Sequence, residues 1–272
     1  MAEQTERKLN RLEHLLPEGL LADAAWLLTQ GYSTSLRTQY VAAGWLSQPS
    51  RRVYQRGRGE LTWQQAIVSL QTILDQQVIV GGRTALELQG YGHFLHHGTQ
   101  EIHLYGPNRP PVWLQKLPLS ETFSYRNSEP LLPLSDFPHS LEPGTSKSYP
   151  DDLTTLPYGQ WNWPLTVSRP ERALLELLDE LPTHESFAQV DALVEGLGNL
   201  KPKLLAALLA SCRSIKVKRL FFFFADRHRH GWLARIDRKA VDLGKGKRLL
   251  VRGGVLDPTY QITVPRDLYG VS

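Results

Sequence analysis

Five side chains able to donate or accept hydrogen bonds stand together from Thr34 to Gln39: Thr34, Ser35, Arg37, Thr38 and Gln39. A helix carrying them would offer a guanidinium to guanine, a carboxamide to adenine, and hydroxyls to phosphates or base edges. That is the chemistry of major-groove reading. Ser33 precedes them, placed to cap the helix start and close enough to join the interface. No aspartate or glutamate occurs from residue 24 to residue 59, and Arg51, Arg52, Arg56 and Arg58 follow within that window. Arginines on a hairpin beside such a helix would grip phosphates or enter the minor groove and so set its register. An ordinary solvated face mixes both signs of charge. The acid-free stretch therefore favours double-stranded DNA over the two bland readings, a helix with a polar outer face or a three-helix module that binds protein.

Other candidate chemistry is weaker. Gly81-Gly82 after the apolar run Val78-Ile79-Val80, followed by a helix and then by Glu101-Ile102-His103-Leu104, resembles the opening of a nucleotidyltransferase. An active site of that kind needs two carboxylates alternating on the second strand to hold Mg²⁺. Here histidine stands in place of one, so the expectation is either a non-catalytic relic of that fold or a coincidental Gly-Gly before a helix, and no catalytic residue is assigned. His93, His96, His97 and His103 are dense, as are His228 and His230, but no cysteine or carboxylate repeats at ligand spacing, so neither a metal nor another cofactor is expected. Ser146 and Ser148 lack a base at a suggestive spacing. A single cysteine, Cys212, excludes an internal disulfide framework.

Charge is unevenly distributed. Residues 59–212 carry 9 basic and 17 acidic side chains, whereas residues 213–252 carry 13 basic and 3 acidic ones. Such a segment either faces phosphate or docks on the acidic middle of its own chain. Lys216, Lys218, Arg219, Lys245, Lys247 and Arg248 are the candidate secondary phosphate contacts. Phe221–Phe224 and Trp232 lie among these cations and would serve either as core or as stacking platforms for single strands.

Elements must place these residues. Leucine spacing predicts helices over 5–16 and 20–30, a turn at Gly31, and a third helix over 34–43. Two short strands follow around Gln48-Pro49-Ser50, completing the order of a winged helix-turn-helix. Further on, helical patterns begin at Thr62, Arg83, Pro170, Phe187 and Pro202, and a further helix is expected over 218–227, where four consecutive phenylalanines show no amphipathic period. Strands are expected near 78–80, 101–105, 112–114, 122–126, 240–251 and 260–264, with irregular chain and short strands over 127–163. The expected fold is α+β: a winged helix-turn-helix domain over 1–60, then a larger mixed α/β domain over 61–272, a degenerate nucleotidyltransferase fold with added helices. No apolar run is long enough to span a membrane and the N-terminus is polar, so a cytoplasmic location without membrane contact is expected.

Three segments carry a family resemblance: LLADAAWLLTQGYSTSLRTQYVAAGWLSQPSRRVYQRG at 20–57, VIVGGRTALELQGYGH at 78–93 and LTVSRPERALLELLDEL at 165–181. In these the chain resembles the AbiEi family, the antitoxin and transcriptional repressor component of type IV toxin–antitoxin (abortive infection) systems. The resemblance implies a winged helix-turn-helix that represses its own operon by binding its operator. It also implies a C-terminal domain that counters a nucleotidyltransferase-like toxin, generally without a stable complex. The family's recognition helix falls on Ser33–Ala43 and its wing-proximal basic residues on Arg51, Arg52 and Arg56. A longer polar lead-in and the very basic end depart from the family. They leave open whether the C-terminal domain also touches nucleic acid. Two other readings stand beside the DNA-binding one: an antitoxin that neutralises its toxin by direct binding, with the winged unit used for protein contact, and an RNA- or tRNA-binding factor acting through the basic C-terminal region.

Overall fold

The computed structural model describes residues 2–57, 59–92, 100–135, 137 and 149–269. Arg58, His93, His96, His97, Ser146 and Ser148 lie outside the described residues. The N-terminal region runs α1 (Ala2–Leu15), β1 (Leu21–Asp23), α2 (Ala24–Thr29), α3 (Thr34–Ala42), β2 (Leu46–Ser50) and β3 (Val53–Arg56). Leu21–Asp23, expected as part of the helix over 20–30, is a strand instead. Asp23 ends that strand and caps α2, its Oδ1 accepting from the Trp26 N–H at 2.8 Å. The three strands pair antiparallel in the order β1-β3-β2. Gly31, at φ +89°, turns the chain between α2 and α3. Ser33 caps α3 by accepting from the Leu36 N–H at 3.4 Å.

The larger region begins with α4 (Trp63–Thr72), β4 (Ile79–Val80), α5 (Gly82–Leu88), β5 (Glu101–Gly106), a 3-10 turn at Val112–Lys116 and β6 (Thr122–Asn127). It continues with β7 (Leu153–Tyr158), β8 (Trp163–Ser168), α6 (Pro170–Asp179), α7 (Phe187–Glu195), α8 (Pro202–Ser211), α9 (Ile215–His228), β9 (Val255–Leu256) and β10 (Thr263–Val264). Five strands form a mixed sheet, β6-β5-β4-β8-β7. β4 is antiparallel to β5 and parallel to β8, and β5 is parallel to β6. Residues 112–114 are thus a helical turn, not a strand. The closing strand expected over 240–251 is instead irregular chain, because Gly244 and Gly246 at positive φ turn it repeatedly.

One contiguous apolar core runs from Leu12 to Leu268. α4 joins the two regions: its Thr62/Gln65 capping box fixes the helix start, and Ser69 Oγ accepts the Leu21 N–H of β1 at 2.8 Å. α9 is covered on every side, with Val217–Ala225 all buried. Its four phenylalanines are core, Phe221 stacking near Trp232 and Phe222 lying parallel to the Tyr260 ring. No helix among the described residues is long and apolar enough to cross a membrane.

Candidate nucleic-acid interface

α3 presents two faces. Tyr40 is buried and Leu36 and Val41 are partly buried against the core, while Ser33, Thr34, Ser35, Thr38 and Gln39 are exposed. Arg37 departs from the expectation. It is only 6% exposed, and its Nη1 donates to the carbonyl oxygens of Tyr32 at 2.7 Å and Ala24 at 3.2 Å. Its Nη2 donates to Thr34 Oγ1 at 3.0 Å, and the guanidinium lies 5.5 Å from the centroid of the Tyr54 ring. In this structure Arg37 therefore ties α3 to the end of the α2 turn and to the hairpin, and its guanidinium is engaged within the chain rather than presented on the exposed face. The sequence carried the signal: at about 100° per residue, position 37 falls between Tyr40 and Val41 on the helical wheel.

The hydroxyls are partly engaged within the helix. Thr38 Oγ1 donates to the Thr34 carbonyl at 3.0 Å, and the hydroxyls of Ser33 and Ser35 lie 3.1 Å apart. At the tip of the β2–β3 hairpin Arg51 and Arg52 are exposed, and Arg52 has φ +65°. Its carbonyl accepts the Ala24 N–H at 2.8 Å, which pins the tip to the start of α2. Arg56, expected to hold phosphate, is instead half-buried: Nε donates to the Leu16 carbonyl at 2.8 Å and Nη1 pairs with Glu13 at 3.4 Å. It fastens β3 to the end of α1.

The basic C-terminal segment divides in the same way. Lys218 and Arg219 are buried in α9, where Arg219 donates to the carbonyls of Leu243, Gly246 and Gln261. Lys216 Nζ donates to the Asp179 and Leu181 carbonyls and sits 3.1 Å from the Asp179 carboxylate. These three are engaged with their own chain, whereas Lys245, Lys247 and Arg248 are exposed. Arg227 and His228 likewise pair with Asp191 of α7, so the basic segment is partly docked on acids of its own chain.

The Gly81-Gly82 turn is occupied from within. The Glu176 carboxylate of α6 accepts the Gly82 N–H at 2.9 Å, the Ser168 hydroxyl at 2.8 Å and Arg172 Nε at 2.8 Å. Burial pushes that carboxyl above its usual range, and the Arg172 charge and these hydrogen bonds pull against it. A Cβ on Gly81 would stand 2.2 Å from Glu176 Oε2 and 2.4 Å from the Tyr105 ring, so glycine is needed to admit them. On β5 Glu101 is exposed and His103 is buried. The His103 N–H donates to Thr84 Oγ1 at 3.0 Å, and that oxygen is 3.1 Å from His103 Nδ1. Burial lowers the His103 pKa from 6.5 to about 4, so the ring is neutral at pH 7. Arg83 and Glu185 pair beside it. No group of three or more potential metal ligands converges among the described residues.

Comparison with known proteins places these features. A family model described as "Transcriptional regulator, AbiEi antitoxin, Type IV TA system" matches residues 99–265. A second, described as "Transcriptional regulator, AbiEi antitoxin N-terminal domain", matches residues 5–97. The solved structure of the RV2827C protein from Mycobacterium tuberculosis is similar over 95% of this chain and 90% of that one, with a TM-score of 0.56 and 17% sequence identity. At that identity the likeness is one of fold, a mixed α+β protein with a small N-terminal region and a larger mixed-sheet domain. No curated protein matches the chain in sequence. The two family models together span nearly all of the described residues, and the chain belongs to the AbiEi family of antitoxins, transcriptional regulators of type IV toxin–antitoxin systems.

Proposed function

We propose that residues 1–60 are a winged helix-turn-helix that binds an operator ahead of the chain's own operon and represses it in the cytoplasm. α3 enters the major groove, Thr34, Ser35, Thr38 and Gln39 meet base edges and nearby phosphates, and Arg51 and Arg52 hold the backbone. The observation that carries this reading is the exposed face of α3, hydrogen-bonding throughout, beside two exposed arginines in a stretch of chain without an acid.

Residues 61–272 are read as a non-catalytic, nucleotidyltransferase-like domain that counters a nucleotidyltransferase-like toxin. β4, the Gly-Gly turn, α5 and β5 follow in the order of that fold's opening, with β5 antiparallel to β4. A buried histidine stands where a second carboxylate would hold a metal, and Glu176 sits where a nucleotide phosphate would approach the turn. The Gly82 N–H that would meet a phosphate is thereby already taken, by a carboxylate whose charge is met by Arg172.

Binding of the full chain to the duplex upstream of its operon, and to a scrambled duplex of equal length, tests the first reading over a salt series. Affinity for both duplexes is expected to fall steeply with salt, with the upstream duplex bound about 10³-fold or more tighter. Arg51→Ala and Arg52→Gly are expected to weaken both duplexes alike, the glycine removing the charge while suiting the positive φ. Equal affinity for the two duplexes, or binding indifferent to salt, would contradict it.

A further inference from the structure

A second stretch without aspartate or glutamate, residues 102–120, folds against the first. Its 3-10 turn, Val112–Lys116, lies across a groove of about 340 Å³ from the hairpin tip, with Arg51 and Arg52 on one side and Val112, Trp113 and Lys116 on the other. The turn is a fixed platform. Leu114 and Leu117 are buried beneath it, and Gln115 Nε2 donates to the Phe123 carbonyl of β6 at 2.6 Å. Lys116 is exposed and Val112 is 73% exposed. Asp23, the acid in the lining, has Oδ1 committed to the α2 cap. The groove thus gathers three exposed cations from two regions of the chain around one engaged carboxylate, and its charge fits a run of phosphates.

We propose that Val112–Lys116 is a third duplex-contacting element, in which Lys116 of the larger region takes a phosphate flanking the one held by the hairpin tip. This rests on the winged helix-turn-helix reading above. Arg51 and Arg52 belong to both the tip and the groove, so a backbone gripped by the tip lies within reach of Lys116. The larger region then sets the length of the bound duplex as well as acting on the toxin.

The test is the salt dependence of duplex binding by the full chain carrying Lys116→Ala, Lys116→Glu or Lys116→Arg, with a hydroxyl-radical footprint of each on the upstream duplex. One phosphate contact is worth about 0.9 in the slope of log K against log salt. Lys116→Ala is expected to reduce the slope by about that amount, to weaken upstream and scrambled duplexes by the same factor, and to shorten the footprint on one flank. Lys116→Glu loses more, and Lys116→Arg restores the wild-type slope. If Lys116→Ala and Lys116→Glu keep the wild-type slope and footprint while Arg51→Ala lowers the slope, the third element is wrong and the wing stands. If the wild-type chain binds no duplex in a salt-dependent way, the reading beneath the proposal fails and the proposal goes with it.

Discussion

Arg37 and Gln39 stand two residues apart on one helix and do opposite work. Arg37 directs its terminal nitrogens to two backbone carbonyls and a threonine hydroxyl, whereas Gln39 is exposed. Arg37→Ala would leave the Tyr32 and Ala24 carbonyls short of a donor and remove a buried stem, at a cost of about 1–3 kcal/mol. The expected outcome is a lower denaturation midpoint, with the ratio of upstream to scrambled affinity unchanged in the folded protein. A changed ratio without lost stability would return Arg37 to the interface. His103 carries a pH signature. Its folded pKa of about 4 lies below the ordinary 6.5, so between those values the unfolded chain binds a proton that the folded chain refuses. Stability therefore falls as pH drops through that window, by up to about 3 kcal/mol from this one group. Denaturant unfolding at pH 7 and pH 4.5 should show a smaller acid loss in His103→Gln than in the wild type. Equal losses would mean that the ring is protonated without penalty in the folded state.

Among the elements, the Gly-Gly turn between β4 and α5 closes around the Glu176 carboxylate. Gly81→Ala would drive a methyl group into Glu176 and Tyr105, and overpacking of this kind costs about 1–3 kcal/mol or more. A melting temperature several degrees lower is the expected result, and an unchanged one would mean that Glu176 can leave the turn. The elements also mark the reach of sequence reasoning. α3, the hairpin and α6 were legible because caps, prolines and apolar spacing agree there. β1 was not: Leu21 and Ala22 continue the apolar pattern of α2, and their pairing with β3 makes them a strand. The 112–114 run reads as a strand by composition, but Pro110 and Pro111 start a helical turn whose leucine is buried. α9 was uncertain because four consecutive phenylalanines have no amphipathic period, which is the pattern of a helix buried all round. Of the named interface residues, the arginines were the least legible. Composition shows that they are basic but not whether carbonyls of the same chain already surround them, as at Arg37, Arg56 and Arg219.

Taken whole, the molecule is held by a continuous core in which α4 connects the small N-terminal sheet to the larger mixed sheet. Much of the basic C-terminal charge is drawn inward: onto acids at Asp179, Asp191 and Asp226, and onto carbonyls around Arg219. What remains exposed near the hairpin tip is a group of cations, Arg51, Arg52 and Lys116, lining one groove. If α3 reads the operator as proposed, its exposed face discriminates between duplexes. The decisive quantity is the ratio of upstream to scrambled affinity for the wild type, for Gln39→Ala and for the triple variant Ser35→Ala, Thr38→Ala, Gln39→Ala at one salt concentration. Gln39→Ala is expected to lower the ratio by about 10-fold or more, equivalent to about 1–3 kcal/mol of base reading, with an unaltered salt slope. The triple variant is expected to bind both duplexes almost equally while melting at the wild-type temperature. A triple variant that folds normally and still prefers the upstream duplex by the wild-type factor would contradict that reading.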